Sequence, residues 1–240
     1  PLHLGNWSNE QPVRDFINDT DLVIILGSRL SYFPTGGWTL KLPGKVIQID
    51  IDPAELGRNH PISIGAVGDL NDGLSRINKI IDNKKINFHT NDRREEIGQL
   101  LNKIYKALGK PIEVDVLDQL RAALPKETIV FNDPTTVVFW ARSYWKTYFP
   151  RTWFVPSGFG TLGFALPTAI GAKVARPDVP CVAMHGDSGV MFTIQDLMTA
   201  VEHNIPVILL VFNDQGYGVE RRHQDHLYGR RNGVDLQSPD

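Results

Sequence analysis

Short apolar runs that give way to glycine, proline or a polar turn recur along this chain, with helix-period stretches between them. That alternation is what a parallel α/β sheet requires. Asp21-Leu22-Val23-Ile24-Ile25-Leu26-Gly27 and residues 45–50 are continuous runs of the kind carried by strands buried on both faces. Residues 128–131, 153–155, 179–184 and 207–212 repeat the pattern in the second half. Helices are expected over 11–18, over 70–81 with Leu74, Ile77, Ile80 and Ile81 on one face, from Ile112 through Val114, Val116, Leu117 and Leu120, and over the Ala/Gly-rich 167–174. One more spans 194–203, where Ile194, Leu197, Met198 and Val201 share a face before Asn204 and Pro206 end it. The expected fold class is α/β, with two doubly wound parallel-sheet domains. Their spans are 1–83 and 111–240, joined by a linker over 84–110 because 84–96 is polar apart from Ile86 and Phe88.

Composition narrows the function classes. A chain of 240 residues, 42% hydrophobic, has ample material for one or two cores, and a net charge of -2 gives no basic footprint for nucleic acid. No apolar run approaches the roughly 20 residues of a membrane span, so no membrane partner is expected. Cys181 is the only cysteine and lies in an apolar run. It excludes an intrachain disulfide and a cysteine-cage zinc site, and fits a core thiol in a cytoplasmic protein. The chain opens on Pro1 without methionine and closes on Ser238-Pro239-Asp240 after a charged, turn-rich stretch, so a piece trimmed at both ends is expected.

Gly158-Phe159-Gly160-Thr161-Leu162-Gly163 spells G-x-G-x-x-G. Alone, it fits a plain tight turn as well as a dinucleotide site. The dinucleotide reading asks for an acid about 20 residues on, standing alone at the end of the next strand. Asp187 instead sits inside Gly186-Asp187-Ser188-Gly189, a second small-residue turn. The strand after that runs into Asn213-Asp214-Gln215-Gly216-Tyr217-Gly218, again oxygen ligands beside glycines. Asp187 and Asp214 are 27 positions apart, which one strand–helix–strand unit spans. Both then reach the C-terminal ends of parallel strands, where α/β sheets bind ligands. Two carboxylates there suit one Mg2+ bridging to phosphate oxygens, with the N–H groups of the 186–189 turn facing the same anion. The plainer reading makes both aspartates turn formers.

Together these motifs resemble the thiamine diphosphate-dependent enzymes of the acetolactate synthase and benzoylformate decarboxylase group, in which G-D-G is followed one such unit later by N-N. Residues 158–172 resemble that family's aminopyrimidine-binding loop and its following helix. Residues 21–29, with Ile49-Asp50-Ile51-Asp52-Pro53-Ala54-Glu55, resemble its central domain. The resemblance covers nearly all of the chain and implies part of a Rossmann-like central domain and most of a C-terminal cofactor domain. It also implies thiamine diphosphate and Mg2+ as cofactors. Asp187 and Asp214 would bind the metal by their side chains and Gly216 by its carbonyl. Gly186, Ser188, Gly189, Asp133, Thr135 and Thr136 would hold the diphosphate, and Gly158, Gly160, Leu162 and Tyr217 the rest of the cofactor.

In the catalytic roles the resemblance implies, the Gly160 carbonyl accepts from the 4′-amino group. Leu162 is the wedge that bends the cofactor and brings that group near the thiazolium C2 proton. The implied activity is that of an acetolactate synthase-like carboligase or decarboxylase, a transferase or lyase, acting on a 2-oxo acid. The implied assembly is a homodimer or homotetramer with its active site at a subunit interface. Ser188 departs from the motif's glycine and Asp214 from its second asparagine. No residue here matches the N-terminal-domain glutamate that activates N1′, so this piece alone is expected to be inactive. Val219, Glu220 and His223 stand where relatives line the substrate pocket, or form a charged surface. His185 is expected to be a satisfied strand-end histidine, and Phe139, Trp140, Tyr144, Trp145, Tyr148 and Phe149 to be packing. Thr35-Gly36-Gly37-Trp38, Asp50 and Asp52 lie where acetolactate synthases hold FAD; FAD-free relatives keep similar residues, so FAD is not assigned. An NAD- or FAD-dependent oxidoreductase and a non-catalytic nucleotide-binding relative remain as alternatives.

Overall fold

The computed structural model describes residues 2–85, 93–109 and 111–236, and the backbone of 90–92. The expected parallel α/β architecture is present in each of two units, Pro1–Gly109 and Lys110–Asp240.

In the first unit, α1 (Gln11–Asn18) has a proline in its first turn, where a missing N–H is harmless, and buries Val13. The strands β1 (Val23–Leu26), β2 (Val46–Asp50) and β3 (Ile64–Val67) form a parallel sheet in that order, with Val23 beside Val46 and Ile47 beside Ile64. Central β2 buries Val46 and Ile49 and also Gln48. The Gln48 amide donates to the Ser28 and Glu55 carbonyls and accepts from Gly57 N–H, so it ties the two connections that follow β1 and β2 to the strand. Helix α2 (Leu70–Asn83) starts where the Asp69 carboxylate accepts from the N–H groups of Asn71 and Asp72.

The stretch expected to be a linker instead carries α3 (Thr90–Leu108), while Ile86 and Phe88 lie outside the described residues. Its charged opening hides an apolar stripe, for Ile97 and Ile104, two turns apart, are both buried. Tyr105 also meets Trp7 edge-on at 5.8 Å. Ile104→Ala is expected to lower this unit's unfolding free energy by about 2–5 kcal/mol in a urea titration. A loss below about 1 kcal/mol contradicts a core role for α3.

The second unit runs α4 (Ile112–Ala123), β4 (Ile129–Asn132), α5 (Thr136–Tyr144), β5 (Trp153–Phe154), α6 (Ala165–Ala175) and β6 (Cys181–Gly186), then the single turn α7 (Asp187–Val190), α8 (Asp196–Glu202), β7 (Ile208–Phe212) and α9 (Gly218–Tyr228). Its parallel sheet has the order β5-β4-β6-β7. Ile129, Phe131, Cys181 and Ala183 pack with Ala165, Leu166, Ala169 and Ile170 of α6. Val130, Val182 and Met184 pack with Leu117 of α4 and with Val137, Val138 and Ala141 of α5. Alternate side chains thus meet helices on both faces, which is why β4 and β6 read as unbroken apolar runs. Burial pushes the Cys181 thiol above its ordinary range, as befits a core position. Trp145 stacks on Trp153 at 5.4 Å beneath the Arg121 guanidinium and packs with Trp140 and Tyr144 against this core, whereas Phe139, Tyr148 and Phe149 are exposed. Among the described residues no helix is long and apolar enough to cross a membrane.

The chain passes from β4 to β5 on one side, then returns to place β6 on the other side of β4. At such a reversal the crossover connections diverge and leave a crevice at the strands' C-terminal ends. Asp133 follows β4 there and Asp187 follows β6.

Candidate functional site

Gly186 pairs with Phe212, so the turns leaving β6 and β7 lie side by side. Asp187, nearly buried, accepts the Gly216 N–H on Oδ2 at 3.0 Å, and the Ser188 hydroxyl donates to the Gly216 carbonyl at 3.1 Å. The G-D-S turn therefore grips Gly216 through both its N–H and its carbonyl. Behind it, Tyr217 N–H donates to the Val234 carbonyl and Leu236 N–H to the Gln215 carbonyl. Arg221 donates to the carbonyls of Asp214 and Gln215 and pairs with Asp235 at 2.6 Å. A Cβ on Gly216 would overlap the Val234 carbonyl and Arg221, so only glycine permits this close passage.

Asp214 lies at the rim. Burial, and then the Asp187 carboxylate, push its carboxyl above the ordinary range against the pull of Arg221, the Gly216 amide and Arg222. Such a repelled pair is what a shared cation relieves. Among the described residues no three His, Cys, Asp or Glu side chains converge. A cation here would accordingly rest on two carboxylates and backbone carbonyls. A raised folded-state pKa contributes stability below the ordinary carboxylate pKa and loses it as pH rises through the raised value. Without metal, Asp214→Asn is expected to melt no lower than the parent at neutral pH and to show a flatter fall of Tm between acid and neutral pH. A melting profile as steep as the parent's contradicts the repulsion.

On the β4 side, Thr135 caps α5 by accepting Val138 N–H at 3.2 Å. The Thr136 hydroxyl is buried without a hydrogen-bond partner. It lies 3.1 Å from the Cβ position of Gly218, which would itself overlap the Asp214 carboxylate. Buried orphan hydroxyls are rare, and this one beside the two aspartates suits a phosphate oxygen. Asp133, expected on the diphosphate, instead faces the glycine loop. It is fully buried, and its two oxygens accept the N–H groups of Gly163 at 2.6 Å and Ala165 at 2.8 Å.

In that loop Gly158 and Gly160 are exposed, and Gly160 N–H donates to the Pro156 carbonyl. Leu162, half-buried, lies with Cδ2 3.6 Å from the Cβ position of Gly189. His185 is fully buried, accepts Leu166 N–H on Nε2 at 2.8 Å, and has its Nδ1 2.9 Å from Asp133 Oδ2. The N–H groups of Gly160 and Gly163 in this loop, and of Ala165 and Leu166 after it, are therefore already engaged inside the protein. Val219, Glu220 and His223 lie in the first turns of α9, the first half-buried and the other two exposed. In the first unit, Asp50 accepts Asp52 N–H, Asp52 caps Ala54, and the buried Thr35 hydroxyl donates to the Ser31 carbonyl. Sequence reasoning missed Arg221 and its partner Asp235. The signal for Arg221 was a charged run indistinguishable from a solvated helix face, and Asp235 lies outside that run.

Residues 1–77 match the central domain of thiamine pyrophosphate enzymes, and residues 133–240 match their C-terminal TPP-binding domain. The chain is 32% identical to a probable acetolactate synthase large subunit of Methanococcus aeolicus, over 96% of this chain and 42% of that protein. It is 30% identical to a probable 2-ketoarginine decarboxylase of Pseudomonas aeruginosa, over 100% of this chain and 43% of that protein. Against a sulfoacetaldehyde acetyltransferase of Alcaligenes xylosoxydans xylosoxydans the identity is 30%, over 96% of this chain and 44% of that protein. The chain thus spans less than half the length of these relatives. The two family matches fall on the two α/β units, the second of them across the turns that join Asp187 to Gly216, and this chain belongs to the thiamine diphosphate-dependent enzyme family.

Proposed function

We propose that the protein is a Mg2+- and thiamine diphosphate-dependent carboligase or decarboxylase of 2-oxo acids, with acetolactate synthase-like carboligation as its leading activity. One observation carries this reading. The Asp187-Ser188 turn grips both polar groups of Gly216 while the Asp187 charge bears on Asp214, which gathers carboxylates and a carbonyl at the ends of β6 and β7. The names of the relatives, a synthase and a decarboxylase among them, support the substrate class.

The donor set fits the cofactor. Asp187, Asp214 and the Gly216 carbonyl would hold Mg2+; that carbonyl keeps a second lone pair beside its bond from Ser188. The orphaned Thr136 hydroxyl and the amides of the 186–189 turn would donate to diphosphate oxygens. The Gly160 carbonyl and Leu162 would orient the ring half, with Leu162 resting above Gly189 at the diphosphate turn. When bound, the cofactor supplies an electron sink for loss of CO2 from a 2-oxo acid, chemistry that no side chain offers. Val219, Glu220 and His223 would border the substrate. The activating carboxylate would come from a neighbouring subunit of a homodimer or homotetramer.

The test is pyruvate turnover by the protein expressed from its full gene. CO2 release and acetolactate formation that need both Mg2+ and thiamine diphosphate support the reading. No turnover of pyruvate or other short 2-oxo acids by protein with the cofactor bound refutes it.

A further inference from the structure

We propose that Asp133 and His185 form a buried clamp that sets the conformation of the glycine loop, and through it the placement of Gly160 and Leu162 toward the cofactor's ring half. Both side chains are fully buried, one following β4 and the other in β6, at the reversal of strand order. Three amides at the entry to α6 end on them: Gly163 and Ala165 on the carboxylate, and Leu166 on the imidazole. Because Nε2 accepts, the ring proton belongs on Nδ1, which lies 2.9 Å from Asp133 Oδ2. The ring and the carboxyl group, side by side, thus take all three amides between them.

The consequence reaches Leu162 through the backbone. A trans peptide carries its carbonyl opposite its N–H, so turning Gly163 N–H inward turns the Leu162 carbonyl outward and fixes that residue's main chain. Bonds to an ionised acceptor in a dry site are strong, and removing the acceptor leaves a buried N–H without a partner. Both roles are positioning roles, since neither side chain is free to touch a ligand. The cofactor half of the proposal rests on the thiamine diphosphate reading; the loop half stands without it.

The test uses Asp133→Asn, His185→Gln and His185→Leu in the protein expressed from its full gene. It reads amide hydrogen exchange without cofactor, then dissociation constants for thiamine diphosphate and for inorganic diphosphate in Mg2+. In Asp133→Asn the amides of Gly163, Ala165 and Leu166 are expected to exchange about tenfold faster or more, while β4 and β6 keep their protection. Thiamine diphosphate should then bind about tenfold more weakly, and inorganic diphosphate within about twofold of the parent. His185→Gln, whose amide oxygen still accepts from Leu166, should stay near the parent, whereas His185→Leu should behave like Asp133→Asn. If Asp133→Asn fails to fold, the two His185 variants carry the same readouts. Unchanged loop exchange overturns the proposal, as does equal weakening of both ligands or identical behaviour of the Gln and Leu variants. A parent that binds no thiamine diphosphate sinks the function proposed above, while the exchange rates still decide the clamp.

Discussion

Asp187→Ala is expected to weaken thiamine diphosphate binding in Mg2+ by about a hundredfold or more, close to 2.7 kcal/mol, measured by isothermal titration on the protein expressed from its full gene. Two losses coincide. The cation loses a carboxylate, and Gly216 N–H loses its acceptor, which loosens the loop that would present the carbonyl ligand. Asp187→Asn separates the two, because its amide oxygen still accepts from Gly216 while its charge is gone. That variant should keep the parent's stability without ligand and yet lose most of the metal-dependent affinity. Binding of both variants within about threefold of the parent, under 1 kcal/mol, contradicts the ligand role.

Gly163→Ala is expected to lower stability by about 2–4 kcal/mol in urea unfolding. Gly163 has φ +82°, and a Cβ there would lie 3.0 Å from Phe192 Cβ and Thr193 Cγ2, on a segment tied back by the Thr193 hydroxyl to the Gly163 carbonyl. Gly160 provides the control. It also has positive φ, +68°, but nothing lies within 4 Å of its Cβ position. Gly160→Ala should therefore cost only the backbone strain, about 1 kcal/mol. Equal costs at the two positions would mean that the loop does not pack against the 192–193 segment.

What the sequence revealed follows the physics of burial. β4 and β6 lie between helices on both faces, so Val130, Val182, Ala183 and Met184 had to be apolar, and the strands were legible. β3 was not, because Ile64-Gly65-Ala66-Val67 is short, exposed and carries a glycine. α3 was hidden by its charged opening before Ile97, and α9 by the run from Glu220 to His226. At the site, Asp187 and Asp214 could be read because one strand–helix–strand unit sets their spacing. The amides of Gly163 and Ala165 meet Asp133 from some 30 positions away, a long-range contact with no local pattern, so that carboxylate was assigned to the diphosphate rather than to the loop.

The central claim is that the glycine loop and the paired turns of Asp187 and Gly216 serve thiamine diphosphate rather than a dinucleotide. Thermal melting of the protein expressed from its full gene tests it most directly, because a ligand that binds only the folded state raises Tm, by about 2.7 kcal/mol of stability at a hundred times its Kd. The account predicts a saturable rise with thiamine diphosphate plus Mg2+, lost on adding a chelator, and none with NAD. A rise with NAD and none with thiamine diphosphate plus Mg2+ would contradict it.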